Sequence, residues 1–211
     1  MRTPVCLVLL AAVLPLAGCL GGKSAQLQAA AQKRTFVPVA SAAHPVSPAP
    51  GFAAVKIRPF RALPPFDARA FIVRRAGGEV AADFYNGWIV APQELVRVQA
   101  QRYLEDAGVF AAVYDSASGT FAPMSIEGVV SELALDYTGE APAAVVTLRL
   151  TVLDERAADF TVLFSAEKSA RVTFKPDDKS APAQAFGAAL SQTLEALTRE
   201  LAGAPLKKTA R

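Results

Sequence analysis

The sequence predicts an α+β fold: an antiparallel or mixed β-sheet with two amphipathic helices packed on one face. Three observations predict it. Residues 129–137, 144–153 and 160–174 alternate apolar and polar side chains with period two, the pattern of strands with one buried face. Residues 92–107 and 180–203 instead repeat their apolar side chains at helical spacing. Short polar connections join the three strands, which implies an antiparallel meander, and the sheet and helices each need the other to cover an apolar face.

Taken in order, the chain opens as an export signal. Arg2 supplies positive charge, and residues 5–14 form an apolar run of signal-peptide length. That run falls short of the roughly 20 apolar residues a membrane-spanning helix needs. Leu16-Ala17-Gly18-Cys19 follows it and resembles the bacterial lipobox. On that reading residues 1–18 are cut away between Gly18 and Cys19, and the Cys19 thiol and amine carry fatty chains. The plainer alternative is an ordinary signal peptide with an incidental cysteine beside its cleavage site. Cys6 is lost either way.

Residues 19–33 are small and polar, with little to bury, and read as a flexible tether. Leu20 to Lys33 could span at most roughly 45–50 Å. Residues 34–203 form the folded domain, and 204–211 a basic tail. Residues 34–40 have strand-like content but contain Pro38, so they can serve only as an edge strand. Residues 43–51 hold three prolines and the only histidine, His44. Residues 54–60 alternate as a strand, Leu63-Pro64-Pro65-Phe66 breaks it, and residues 70–74 form another. Gly77-Gly78 marks a turn, with residues 80–84 as the returning hairpin strand.

Pro92 suits the first turn of the first helix, where its missing N–H costs nothing. Val96, Ala100, Tyr103, Leu104 and Ala107 share one helical face, and Gly108 supplies the stop. Gly128 is read as a bulge in the first meander strand. In the second helix Phe186, Ala189, Leu190, Thr193, Leu194, Leu197 and Leu201 line one face. Ser180 is its expected N-cap and Gly203 its expected stop.

Charge and cysteine content narrow the function. Lys and Arg number 22 against 19 Asp and Glu, a formal charge of +3, and these residues are scattered. No basic stripe with interleaved aromatics suggests nucleic acid. With Cys6 removed and Cys19 acylated no thiol remains, so the mature chain has no disulfide, cysteine nucleophile or thiolate metal site. One histidine in a proline-rich loop makes a poor catalytic triad. No metal motif or phosphate-binding glycine loop is present, and Asp177-Asp178, Asp154, Glu155 and Asp159 read as solvated turns. The sequence calls for no cofactor and no metal, and points away from an enzyme.

Two aromatic stretches stand out as candidate partner- or lipid-binding surface: Pro64, Pro65 and Phe66 in one, Tyr85 and Trp88 in the other. Trp88 has two readings, a core residue closing the first helix on the sheet or an interface anchor. The run from Leu63 through Pro64, Pro65 and Phe66 to Arg74-Arg75, then Tyr85-Asn86-Gly87-Trp88 and Ala91-Pro92, resembles the ABC-type transport auxiliary lipoprotein family. Arg74 and Trp88 are its more distinctive residues.

That resemblance spans roughly residues 34–201. It implies a non-catalytic lipoprotein partnering an Mce-family protein and its ABC permease and ATPase, which move phospholipid between membranes. The family gives no catalytic residues to carry over. Leu20 stands where an aspartate often retains lipoproteins at the inner membrane, so lipoprotein sorting implies the outer membrane, facing the periplasm. A periplasmic lipid or glycolipid binder is the alternative. A ring-like homo-oligomer would suit a conduit terminus, though no residue demands one.

Overall fold

The computed structural model describes residues 33–42, 51–156 and 161–204. The lipobox with Gly18 and Cys19, the tether before Lys33, His44, Asp159 and the tail beyond Ala204 lie outside them. Among the described residues nine strands form one mixed sheet: β1 (Arg34–Phe36), β2 (Val55–Ile57), β3 (Arg61–Ala62), β4 (Ala70–Arg74), β5 (Val80–Trp88), β6 (Val113–Asp115), β7 (Met124–Asp136), β8 (Ala143–Asp154) and β9 (Thr161–Thr173). Helices α1 (Pro92–Ala107) and α2 (Ala181–Gly203) complete the fold. The sheet curls into a half-barrel, and the expected α+β class holds.

Strand β7 is the spine. On one side β8 and then β9 add antiparallel, as the meander expected. On the other side its length is shared: Met124–Ile126 pairs in parallel with β2, Val129–Val130 with β3 and Ala134–Asp136 with β4. The parallel pairs make the sheet mixed. β5 returns antiparallel on β4, and β1 runs parallel along β5 as an edge strand.

Several boundaries differ from expectation. β2 covers only Val55–Ile57, because Pro59 lacks a donor; the ladder ends with Arg58 N–H on Ile126 O and resumes at β3. Between them Phe60 turns inward over Gly128, where an added Cβ would lie 2.5 Å from its ring. Gly128 therefore marks a close approach. The slip in the β7–β8 ladder falls between Val130 and Glu132, where the Ser131 hydroxyl reaches Glu167 on β9. β5 runs on to Trp88 because β1 and β4 both give it partners.

Helix α1 has the expected limits, with Gly108 left-handed at φ 67°. Arg97 ties it to β6, bonding Glu94 and Asp115 at 2.6 Å each. The hydrogen bond to Glu94 leads in holding the guanidinium above its ordinary pKa. Helix α2 departs in its caps. Ser180 makes no side-chain cap; its hydroxyl donates to Asp178 Oδ1 and accepts from Gln184 Nε2. Gly203 is the last helical residue rather than a left-handed stop, and Ala204 is already extended.

Both helices cover the same sheet face. Val55, Ile57, Ile126, Val130, Leu148 and Leu150 from the sheet meet Val96, Leu104, Leu190, Leu194 and Leu197. Each fully buried side chain of this kind contributes about 1.5–3 kcal/mol. Residues 37–42 cross the helices as a strap, with Ala40 N–H on Gln99 Oε1 and Ser41 N–H on the Ser191 hydroxyl. Gly187 admits the strap, since a Cβ there would stand 2.5 Å from Val39 O. The opposite sheet face carries polar rows: Thr147 with Ser169, Thr151 with Ser165, Arg149 with Glu167.

Asp136 joins several groups on that face. Its Oδ1 accepts the Thr138 hydroxyl at 2.6 Å and the Thr138 N–H at 2.9 Å. Its Oδ2 meets Arg171 at 2.7 Å and Arg74 at 3.3 Å. The Thr138 hydroxyl leads in holding its pKa below the ordinary 3.8, with both guanidiniums helping against burial. A carboxyl depressed in the folded state stabilises fully above its unfolded pKa, and loses that contribution as pH falls through the folded value. Asp136→Asn is therefore expected to cost about 2–3 kcal/mol at pH 7. The gap from wild type should narrow below about pH 4 in melts recorded across pH. A gap unchanged down to pH 2 would contradict this assignment.

Candidate functional site

The structure divides the sequence-predicted site residues into four places. Trp88 goes to the core, only 2 % exposed, with its ring 4.4 Å from Phe71 and 4.9 Å from Phe186. Placing it on the candidate surface is thus corrected, because β4 and α2 bring these two rings over it. Arg74 projects from the polar sheet face, bonded to Glu132 at 2.5 Å and Asp136 at 3.3 Å. Its charge is committed to neighbouring acids, so it offers no free cation to a partner.

Pro64 and Pro65 are exposed, joined by a cis peptide, in a loop closed by Phe66 N–H on Leu63 O and Ala68 N–H on Pro65 O. Phe66 is half-buried and packs against the core as the loop's root. Arg69 links this loop to the residues after β5 by donating to Ile89 O. Leu63, Ile89 and Val90 are all substantially exposed. Gly87 permits this junction, since a Cβ there would collide with Arg69 O. Exposed apolar side chains thus stand on two turns, one before β4 and one after β5, linked through Arg69.

Tyr85 belongs to a second surface. β5 pairs Ala82 with Ile72 and then Gly87 with Ala70, so Asp83–Asn86 bulge out against a single residue of β4. Asp83 closes the bulge: Oδ1 accepts the N–H groups of Tyr85 and Asn86, and Oδ2 the Asn86 side-chain amide. This local turn competes with the ladder and lifts two rings outward. Phe84 is 77 % and Tyr85 46 % exposed, their rings edge to face at 5.1 Å.

A cleft of about 440 Å³ lies beside them, lined by Arg75, Asp83, Phe84, Tyr85 and Tyr137 among others. Tyr137 is pushed up in pKa first by burial and then by the Asp83 charge. Its ring also meets Phe174 edge-on. Sequence reasoning did not single out the exposure of Phe84, Tyr137, Ile89 and Val90. The available signal was Asp83 followed by Asn86 inside a strand pattern, the residue types that form side-chain-closed turns.

A third feature is an open recess of about 640 Å³ between the end of β9 and the start of α2, lined by Val172, Phe174, Ala181, Ala185 and Ala188 with Lys175 and Asp178 near. Among the described residues no group of three or more His, Cys, Asp or Glu side chains could hold a metal ion. Among them, too, no helix is long and apolar enough to cross a membrane.

No protein-family model matches the sequence, and no curated protein does either. Solved structures do share the fold. Protein XCC0632 from Xanthomonas campestris, described with the family model DUF330, superposes with a TM-score of 0.69 at 23 % identity, over 81 % of this chain and 96 % of that one. An uncharacterized protein matches with a TM-score of 0.57 at 8 % identity, over 77 % and 99 % of the two chains. The hypothetical protein CT253 from Chlamydia trachomatis gives 0.53 at 11 % identity, over 72 % and 97 %. At these identities the likeness is one of fold.

Proposed function

We propose that this chain is a periplasm-facing lipoprotein of the outer membrane. Its domain acts as a docking subunit for an Mce-family protein in an ABC transport system moving phospholipid. The observation that carries this reading is the lipobox Leu16–Cys19 with its tether, standing ahead of a domain that displays apolar side chains on turn-braced loops. The resemblance around Leu63–Arg75 and Tyr85–Pro92 adds the transporter context. In this account the protein supplies position and an interface rather than chemistry.

The Leu63-Pro64-Pro65 loop with Ile89 and Val90 is the docking surface for the Mce protein. Exposed apolar groups on a preformed loop lose little entropy on binding, and central anchors are worth about 2 kcal/mol or more. Leu63→Asp with Ile89→Asp should cut the Mce protein recovered by cross-linking and pull-down at least about tenfold. Substitutions at exposed positions leave stability within about 0.5 kcal/mol. No Mce protein recovered with wild type, or equal recovery with the variant, would overturn the proposal. The apolar recess at the start of α2 favours a second reading, a lipid binder. Native mass spectrometry of residues 20–211 carrying phospholipid would support that one.

A further inference from the structure

We propose that the Phe84–Tyr85 bulge and Tyr137 rest in the headgroup layer of the membrane that anchors the chain, orienting the domain end-on. This rests on the lipoprotein reading above and adds a second, non-covalent contact to it.

The argument begins with register. Val80, Arg74, Asp136, Ala143 and Thr173 lie in one row across five strands, at the end where β4, β7 and β9 finish. Tyr137 and Phe174 follow directly beyond that row, and α2 starts from the same end. The aromatic bulge hangs beside it and shares a cleft with Tyr137. Exposed Phe84, Tyr85 and Tyr137 thus lie toward this end, with half-buried Phe174 against Tyr137, while the one exposed ring toward the other end among the described residues, Phe121, stands alone.

The described chain begins beside the same bulge. β1 runs parallel to β5 with Arg34 opposite Asn86, so the strand is reached from the Val80 side. Arg34 also lines one recess with Lys179 and Ser180, at the start of α2. Lys33 and Arg34, the first described residues after the Cys19 tether, thus stand beside the Phe84–Tyr85 bulge. A tether holds whatever it joins at high effective concentration, so this end meets the lipid surface most often.

The chemistry fits a bilayer interface. Tyrosine and phenylalanine settle at headgroup depth, the ring among acyl carbons and a hydroxyl toward water. Acids and bases are interleaved at this end: Arg75 pairs with Glu79, and Asp177 and Asp178 stand between Lys175 and Lys179 in the chain. Contact should therefore depend little on anionic lipid. The acyl chains hold the protein, and the rings set which way it faces. The Leu63–Ile89 surface, at the other end of the β4–β5 pair, is then turned away from the membrane.

The test uses mature lipoprotein extracted from membranes, in which the modified Cys19 carries no free thiol. A single cysteine at Ala76→Cys, in the exposed β4–β5 turn, or at Val162→Cys, at the far end of the sheet, takes an environment-sensitive dye. The protein is reconstituted in vesicles of phosphatidylethanolamine and phosphatidylglycerol, 3:1, containing headgroup-nitroxide lipid. Quenching at position 76 should exceed that at 162 at least about threefold. It should fall to the level at 162 when Phe84→Ser and Tyr85→Ser are added, and change little as phosphatidylglycerol is raised. Equal quenching at the two positions, or quenching indifferent to Phe84 and Tyr85, overturns the orientation while leaving the anchor standing. Protein that fails to float with the vesicles overturns the anchor, and the orientation with it.

Discussion

Trp88→Ala is expected to lower the melting temperature of the domain by roughly 6–20 °C, following a loss of about 3–5 kcal/mol. The indole sits in a four-ring chain: Phe36 is 5.5 Å from Phe71, Phe71 is 4.4 Å from Trp88, and Phe186 is 4.9 Å from Trp88. These rings come from β1, β5, β4 and α2, so one truncation loosens the contact between the sheet edge and the second helix. The cavity left has little means of closing, because Val39 backbone already presses on Gly187 next to Phe186. Phe84→Ala is the control. With most of its surface in water it should shift stability by no more than about 0.5 kcal/mol. Thermal unfolding of residues 20–211 followed by circular dichroism makes the comparison. A Trp88→Ala loss below about 1 kcal/mol would show that the ring cluster does not hold the domain together.

Cys19→Ala is expected to abolish membrane attachment. Each buried methylene contributes about 0.8 kcal/mol, and one acyl chain alone gives only reversible binding near 10⁴ M⁻¹. Several chains on one residue make release negligible, and alanine removes all of them at once. The aromatic bulge cannot substitute, since two or three rings at headgroup depth bind far more weakly than acyl chains. Cell fractionation with a carbonate wash should find the variant soluble or as an uncleaved precursor. Mature variant persisting in the outer membrane at wild-type level would contradict the anchor.

What could be read ahead of the structure follows from how local each signal is. Helix α1 announces itself through Pro92, one apolar face and Gly108, all within a single stretch, β4 through a short apolar run between turns, and β8 through clean alternation. Strand β6 and the first half of β7 escape notice. Parallel pairing to β2 leaves no turn between partners, and Gly128 takes an inward position of the alternation for a tertiary reason. Gly128 makes room for Phe60. The candidate surfaces divide in the same way. Pro64 and Pro65 are exposed because prolines at a strand break belong in loops. The burial of Trp88 is decided by Phe71 and Phe186, far away in the chain. Phe84 and Tyr85 look like ordinary strand residues until Asp83 folds its turn.

Intact-mass spectrometry of the chain extracted from membranes is the most direct measurement. The account predicts a polypeptide beginning at residue 19, heavier than its sequence by a diacylglyceryl group and one further acyl chain. A chain still carrying residues 1–18, or one starting at an unmodified Cys19, would contradict it.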